Sequence, residues 1–186
     1  RMNELNCLLA EKLVEDIKKD YEACGIAVAI IDKSGKTQYE KFWGVRDLES
    51  GKEVNGDTIF GLASVTKSFT ALSIMQLEEK GIIDLDAPIS QYIPEFTNKN
   101  QSKKVTVRHL LSHAGGFFPL PRILVGNVAE SLGLDEEKDG DFAYNDAVAQ
   151  EGVKLVAERL DAQTKENGLN GQPGEYLSYC NDGFGL

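Results

Sequence analysis

Hydrophobic positions first recur at helical spacing. Leu8, Leu9, Leu13, Val14 and Ile17 sit among Glu and Lys residues, which predicts an amphipathic helix from Leu5 to about Tyr21. The pattern then changes. Ile26 to Ile31 is dense in β-branched residues, Asp32-Lys33-Ser34-Gly35-Lys36 reads as a turn, and Thr37 to Val45 reads as a second strand, so a β-hairpin is expected. Helical spacing returns from Ser64 to Lys80, where Phe69, Leu72, Ile74, Met75 and Leu77 make a broad apolar face and Gly81 stands at the C-cap position. A face that wide predicts a helix buried in the middle of the protein. Pro88 and Pro94 bracket a short helical piece, and Thr106 is placed to cap another through Leu111. Residues 116–141 lack a regular period and predict a long surface excursion shaping the mouth of a cleft. Asp146 to Leu160 reads as helix, Asn170-Gly171 and Pro173-Gly174 as turns, and the last four residues as the opening of a helix.

Two strands make a marginal sheet by themselves, so either helices cover the hairpin or further strands lie elsewhere. The chain has 186 residues, enough for one domain with a real hydrophobic core. Thirty acidic against 20 basic side chains give a formal charge of −10, which disfavours nucleic acid and anionic lipid as partners. No apolar run reaches the ~18 residues of a membrane-spanning helix. Three cysteines, Cys7, Cys24 and Cys180, are too few for a disulfide scaffold and lean towards a reducing, cytoplasmic setting.

Several motifs fail on inspection. Gly35-Lys36-Thr37 lacks the glycine five positions upstream that a phosphate loop requires, since Ile30 stands there. His109 and His113 have the spacing of a zinc-protease helix, but Leu110 occupies the position of its glutamate, and a structural role is expected for both. No Gly-x-Ser-x-Gly elbow supports a Ser-His-Asp hydrolase. The acidic run at 135–141 reads as a solvated face.

Ser64-Val65-Thr66-Lys67 is different. Positions i and i+3 share a helix face with Cβ atoms about 5–6 Å apart, so the lysine amine can reach the serine hydroxyl. That pairs a nucleophile with its own base. Burial in an apolar surround would favour the neutral amine, and the helix start would favour negative charge developing near Ser64. Tyr179-Cys180-Asn181 adds a phenol and an amide two residues apart. The phenol could carry a proton between nucleophile and leaving group, or it could be an ordinary core aromatic.

The stretch from Thr58 through Ser64-Val65-Thr66-Lys67 to Ala71 resembles the nucleophile segment of the serine β-lactamase and penicillin-binding-protein superfamily, in its class C-like branch of D-aminopeptidases and esterases. Gly81 to Pro88 with Tyr92-Ile93-Pro94, Arg108 to Gly116, and Pro173-Gly174-Glu175 through Tyr179-Cys180-Asn181 to Leu186 resemble its later segments in the same order. The resemblance implies an α/β (α+β) fold of the β-lactamase/transpeptidase type: an antiparallel sheet flanked by helices, joined to an all-helical region. Residues 1–60 would supply the N-terminal helix and hairpin, and 61–186 the helical region, of one incomplete catalytic domain.

It also implies roles. Ser64 would be acylated, Lys67 would be its base, Tyr179 would shuttle protons, Asn181 would hold Lys67 and the substrate amide, and the Ser64 N–H would give half of an oxyanion hole. The implied reaction cleaves an amide or ester of a small-molecule or peptide substrate, without metal or cofactor. Peptidase or esterase action is favoured over β-lactamase or D-Ala-D-Ala carboxypeptidase action, with a non-turnover penicillin sensor as a further alternative. The family's third motif, a Lys- or His-Thr/Ser-Gly strand, would follow Tyr-x-Asn at a distance. It is therefore expected in a missing remainder of the enzyme or on a second chain.

Overall fold

A computed structural model describes residues 4–97, 104–121, 125–140, 145–163 and 171–186. Asn170 of the expected Asn170-Gly171 turn lies outside them. The chain divides into two compact units, Arg1–Leu62 and Ala63–Leu186.

In the first unit, α1 (Glu4–Tyr21) precedes a two-stranded antiparallel sheet of β1 (Gly25–Ile31) and β2 (Thr37–Gly44). The helix carries one deeply buried apolar residue, Val14, and Glu11 of α1 ion-pairs with Lys41 of β2. The hairpin turn is built by Asp32. Its carboxylate accepts from the Ser34 N–H and hydroxyl at 2.8 and 2.6 Å, from the Lys36 N–H, and from the Gln38 amide. Gly35 follows at φ +81°, the left-handed conformation this turn needs. Gly44 is fixed by crowding: at φ +71°, a Cβ there would stand 2.1 Å from the Cys24 carbonyl oxygen.

The second unit opens with a 3₁₀ turn, Ala63–Val65, leading into α2 (Thr66–Glu79). Gly81, at φ +68°, ends the helix. Its N–H donates to the Glu78 carbonyl at 2.7 Å and the Ile82 N–H to the Leu77 carbonyl at 2.9 Å, the two bonds of a Schellman cap. A 3₁₀ turn over Ile89–Gln91 follows, then α3 (Val107–Leu111). Thr106 caps α3 reciprocally with His109: Thr106 Oγ1 accepts the His109 N–H at 3.3 Å, and His109 Nδ1 accepts the Thr106 N–H at 3.2 Å. The expected structural role of His109 is thus a capping one.

The core of this unit gathers Leu85, Ile89, Phe96, Val105, Val107, Leu110, Phe117, Val156, Ala157, Leu160 and Cys180. Phe96 and Phe117 meet edge to face at 6.0 Å. The remaining helices are α4 (Val125–Ser131), α5 (Glu136–Asp139), α6 (Asp146–Asp161) and α7 (Asn181–Gly185). Asn145 caps α6 by accepting the N–H groups of Ala147 and Val148. Among the described residues no helix is long and apolar enough to cross a membrane.

Two expectations are corrected. The α2 helix buries none of its residues: Phe69, Leu72 and Met75 are 58%, 57% and 42% exposed, and Ile74 alone of its apolar face packs against the core. An all-round apolar helix needs partners on several sides, and the described residues cover one. The stretch 116–141 is also not a featureless excursion. It contains α4 and α5, and Val128 and Ala129 of α4 form a second small core with Val148 of α6. The apolar run was too short for a period to show.

Candidate active site

Four side chains from two distant stretches of sequence meet beside the 3₁₀ turn. Ala63, just before Ser64, holds φ +45°, a conformation that is costly for a residue with a Cβ. The strained turn presents Ser64 at the surface, one turn ahead of Lys67. Lys67 Nζ lies 3.4 Å from Ser64 Oγ, as the i, i+3 spacing requires. The same amine donates to Asn181 Oδ1 at 2.8 Å. From the other side the Tyr179 hydroxyl donates to Ser64 Oγ at 2.8 Å. Tyr179, Ser64, Lys67 and Asn181 are therefore linked in that order by hydrogen bonds.

Electrostatics follows from this geometry. The Lys67 amine, and after it the Ser64 hydroxyl, hold the Tyr179 phenol below the usual tyrosine range, because both favour the phenolate. Lys67 Nζ also stands 5.0 Å from the centre of the Tyr179 ring and 5.6 Å from that of Phe184. Tyr179 is 46% exposed, so it is not a core aromatic. Lys67 itself is only half-buried, and its nearest partners are polar atoms and ring faces. The apolar burial expected around it is therefore not its environment here.

A cleft of about 410 Å³ opens beside Ser64, lined by Ala63, Lys67, Val156, Asn181, Asp182 and Gly185. No described residue of 116–140 is among those that line it. Asp182 is buried at its base, with one carboxylate oxygen 3.4 Å from Arg159 Nε. Burial raises the Asp182 carboxyl above the usual range, and Arg159 offsets part of that rise.

One neighbour went unrecognised in the sequence. The His113 ring lies 4.2 Å from the Tyr179 ring, centre to centre, and 4.8 Å from that of Phe184. Helical spacing related His113 only to His109, and no local signal ties it to a tyrosine 66 residues away.

The fold is of the β-lactamase/transpeptidase type. Residues 10–186 match the Beta-lactamase family, and the chain belongs to it. Among curated relatives, Esterase EstB of Burkholderia gladioli is 36% identical over 116 residues, 61% of this chain and 30% of its own length. The octameric penicillin-binding protein homologue from Pyrococcus abyssi superposes with a TM-score of 0.69 at 29% identity, covering 98% of this chain and 37% of that one. A class C β-lactamase shares the fold, with a TM-score of 0.65 at 19% identity over 93% of this chain and 39% of its own. The chain thus spans well under half the length of these relatives.

Proposed function

We propose that this chain carries the nucleophile, base and proton shuttle of a serine hydrolase that cleaves an amide or ester through an acyl-enzyme on Ser64. The observation that carries this reading is the contact of Ser64 Oγ with both Lys67 Nζ and the Tyr179 hydroxyl.

A bond forms from Ser64 Oγ to the substrate acyl carbon, and the bond from that carbon to the leaving nitrogen or oxygen breaks. The serine proton passes to Lys67, and Tyr179 relays a proton to the leaving group. Water then attacks the ester, its proton returns through the same pair, and Ser64 is released. Asn181 orients the amine by accepting from Lys67. Its contact with the substrate amide, and the Ser64 N–H as one oxyanion donor, follow from the family resemblance. The likeness to an esterase supports an ester as substrate.

The test is labelling of the full-length protein with a fluorophosphonate, read by intact mass, together with turnover of a p-nitrophenyl ester. One adduct per chain is expected, lost in Ser64→Ala. Equal labelling of Ser64→Ala would overturn the assignment. A stoichiometric adduct without ester turnover would replace the hydrolase with a penicillin-sensor type of protein.

A further inference from the structure

We propose that His113 is a positioning residue for this reaction: it fixes the Tyr179 phenol against Ser64 by holding the backbone on both sides of Tyr179 and packing against its ring. The inference rests on Tyr179 acting as the proton shuttle of Ser64, as argued above.

Three contacts converge on one residue. The Ser178 N–H donates to the His113 carbonyl oxygen at 2.8 Å, and the Cys180 N–H donates to His113 Nδ1 at 3.2 Å. Tyr179 is the residue between these two anchors. The His113 ring then lies 4.2 Å from the Tyr179 ring at an interplanar angle of 32°. Backbone and side chain of the same histidine thus set where the phenol sits.

His113 also holds φ +54°. Histidine visits this region more readily than most residues with a Cβ, but the conformation still has a cost. It is maintained where a backbone carbonyl and a ring nitrogen must point at the same short segment.

The Nδ1 contact requires an acceptor, so the imidazole bears its proton on Nε2. A second proton, on Nδ1, would face the Cys180 N–H and break the anchor. Lys67 of α2 is a nearby cation and disfavours that second proton, and Tyr179, the Cys180 N–H and Phe184 of α7 lie against the ring. Burial and the Lys67 charge both push His113 below the usual histidine range.

Two substitutions separate positioning from general structure. His113→Asn tolerates φ +54° and offers a carbonyl acceptor near the place of Nδ1. His113→Gly suits the same φ and removes the acceptor and the ring. The readouts are the rate of fluorophosphonate labelling of Ser64 and the ionisation of Tyr179. The latter is followed by ¹³Cζ-tyrosine NMR of the full-length protein, with Tyr179→Phe assigning the signal.

For His113→Gly, labelling should fall about 10- to 100-fold, the scale expected when a catalytic group is misplaced by around an ångström. The Tyr179 ionisation should move up to the ordinary tyrosine range. His113→Asn, which keeps an acceptor and loses the ring, should label more slowly than wild type and faster than His113→Gly, with Tyr179 ionising below its value in the glycine variant. Should His113→Gly not fold, His113→Phe, which keeps a ring without the acceptor, replaces it under the same criteria. Glycine or phenylalanine variants that label like wild type would overturn the proposal, as would a Tyr179 ionisation that does not move. An asparagine variant as impaired as glycine would overturn the acceptor anchor. If the wild type never labels at Ser64, the hydrolase reading fails, while the NMR comparison still decides whether His113 positions Tyr179.

Discussion

Ser64 Oγ has a phenol at 2.8 Å and an amine at 3.4 Å, so the two proton-handling groups are not equivalent. Tyr179 is nearer and Lys67 supports it. Tyr179→Phe removes the short bond while keeping the ring that His113 packs against. Because the side chain is half exposed, we expect melting within a few degrees of wild type. Ester turnover should fall about 10²- to 10⁴-fold, the range for loss of a general acid–base. Equal turnover by wild type and Tyr179→Phe would leave Lys67 as the sole base. Lys67 lowers the tyrosine value, so the part of the pH–rate profile that Tyr179→Phe removes should have its midpoint below 10. A profile that does not change below pH 10 would count against Tyr179 as the relay. Stability should show a separate acid limb from His113. Its value is lowered from 6.5 in the folded chain, so the unfolded chain binds the proton more readily. The histidine's contribution is complete above pH 6.5 and shrinks as the pH falls through the folded value. Urea midpoints at pH 8, 6.5 and 5 should show this loss, and His113→Asn, which has no titrating ring, should reduce it.

At the scale of elements, the features legible in sequence were those fixed by local rules. Gly81 was readable as a helix stop because a left-handed residue is needed where two α2 carbonyls would otherwise lack donors. Gly81→Ala should therefore destabilise the protein by ~1 kcal/mol, measured by urea denaturation, and an unchanged midpoint would mean that the cap carries no strain. Thr106 was readable as a cap for the same reason, and Ser64 with Lys67 because helical geometry alone brings i and i+3 together. The remainder of the site was not readable in this way. Lys67 and Asn181 stand 114 residues apart, and only the family resemblance joined them; His113 and Tyr179 were not joined at all. Long-range contacts depend on packing, which no local period encodes. The Arg159–Asp182 pair joining α6 to α7 belongs with these. Arg159→Leu would leave a buried carboxylate without its cation and should cost at the low end of ~3–5 kcal/mol, because Arg159 is about a quarter exposed. A loss below ~1 kcal/mol would show that Asp182 is already neutral.

For the whole molecule the informative misfit is α2. Its pattern predicts a helix enclosed on several sides, yet Phe69, Leu72 and Met75, stepping by three along one face, remain 42–58% exposed. Exposed apolar side chains in a row mark a surface that seeks a partner or binds hydrophobic probes. The chain also spans only 37% of the Pyrococcus abyssi homologue that it superposes on. Residues 1–186 expressed alone should therefore bind the dye ANS and self-associate at micromolar concentration, seen as enhanced fluorescence and a rising apparent mass in analytical ultracentrifugation. The double substitution Phe69→Lys, Leu72→Lys should weaken both, with a stability change of less than ~1 kcal/mol because neither side chain is buried. Each replacement removes apolar area and adds like charge to the same face, so the effects should reinforce one another. A monomeric chain that ignores ANS would mean that this face is too small or too interrupted to act as a patch. Loss of folding in the double variant would mean instead that Phe69 or Leu72 stabilises α2 through contacts that their exposure does not reveal.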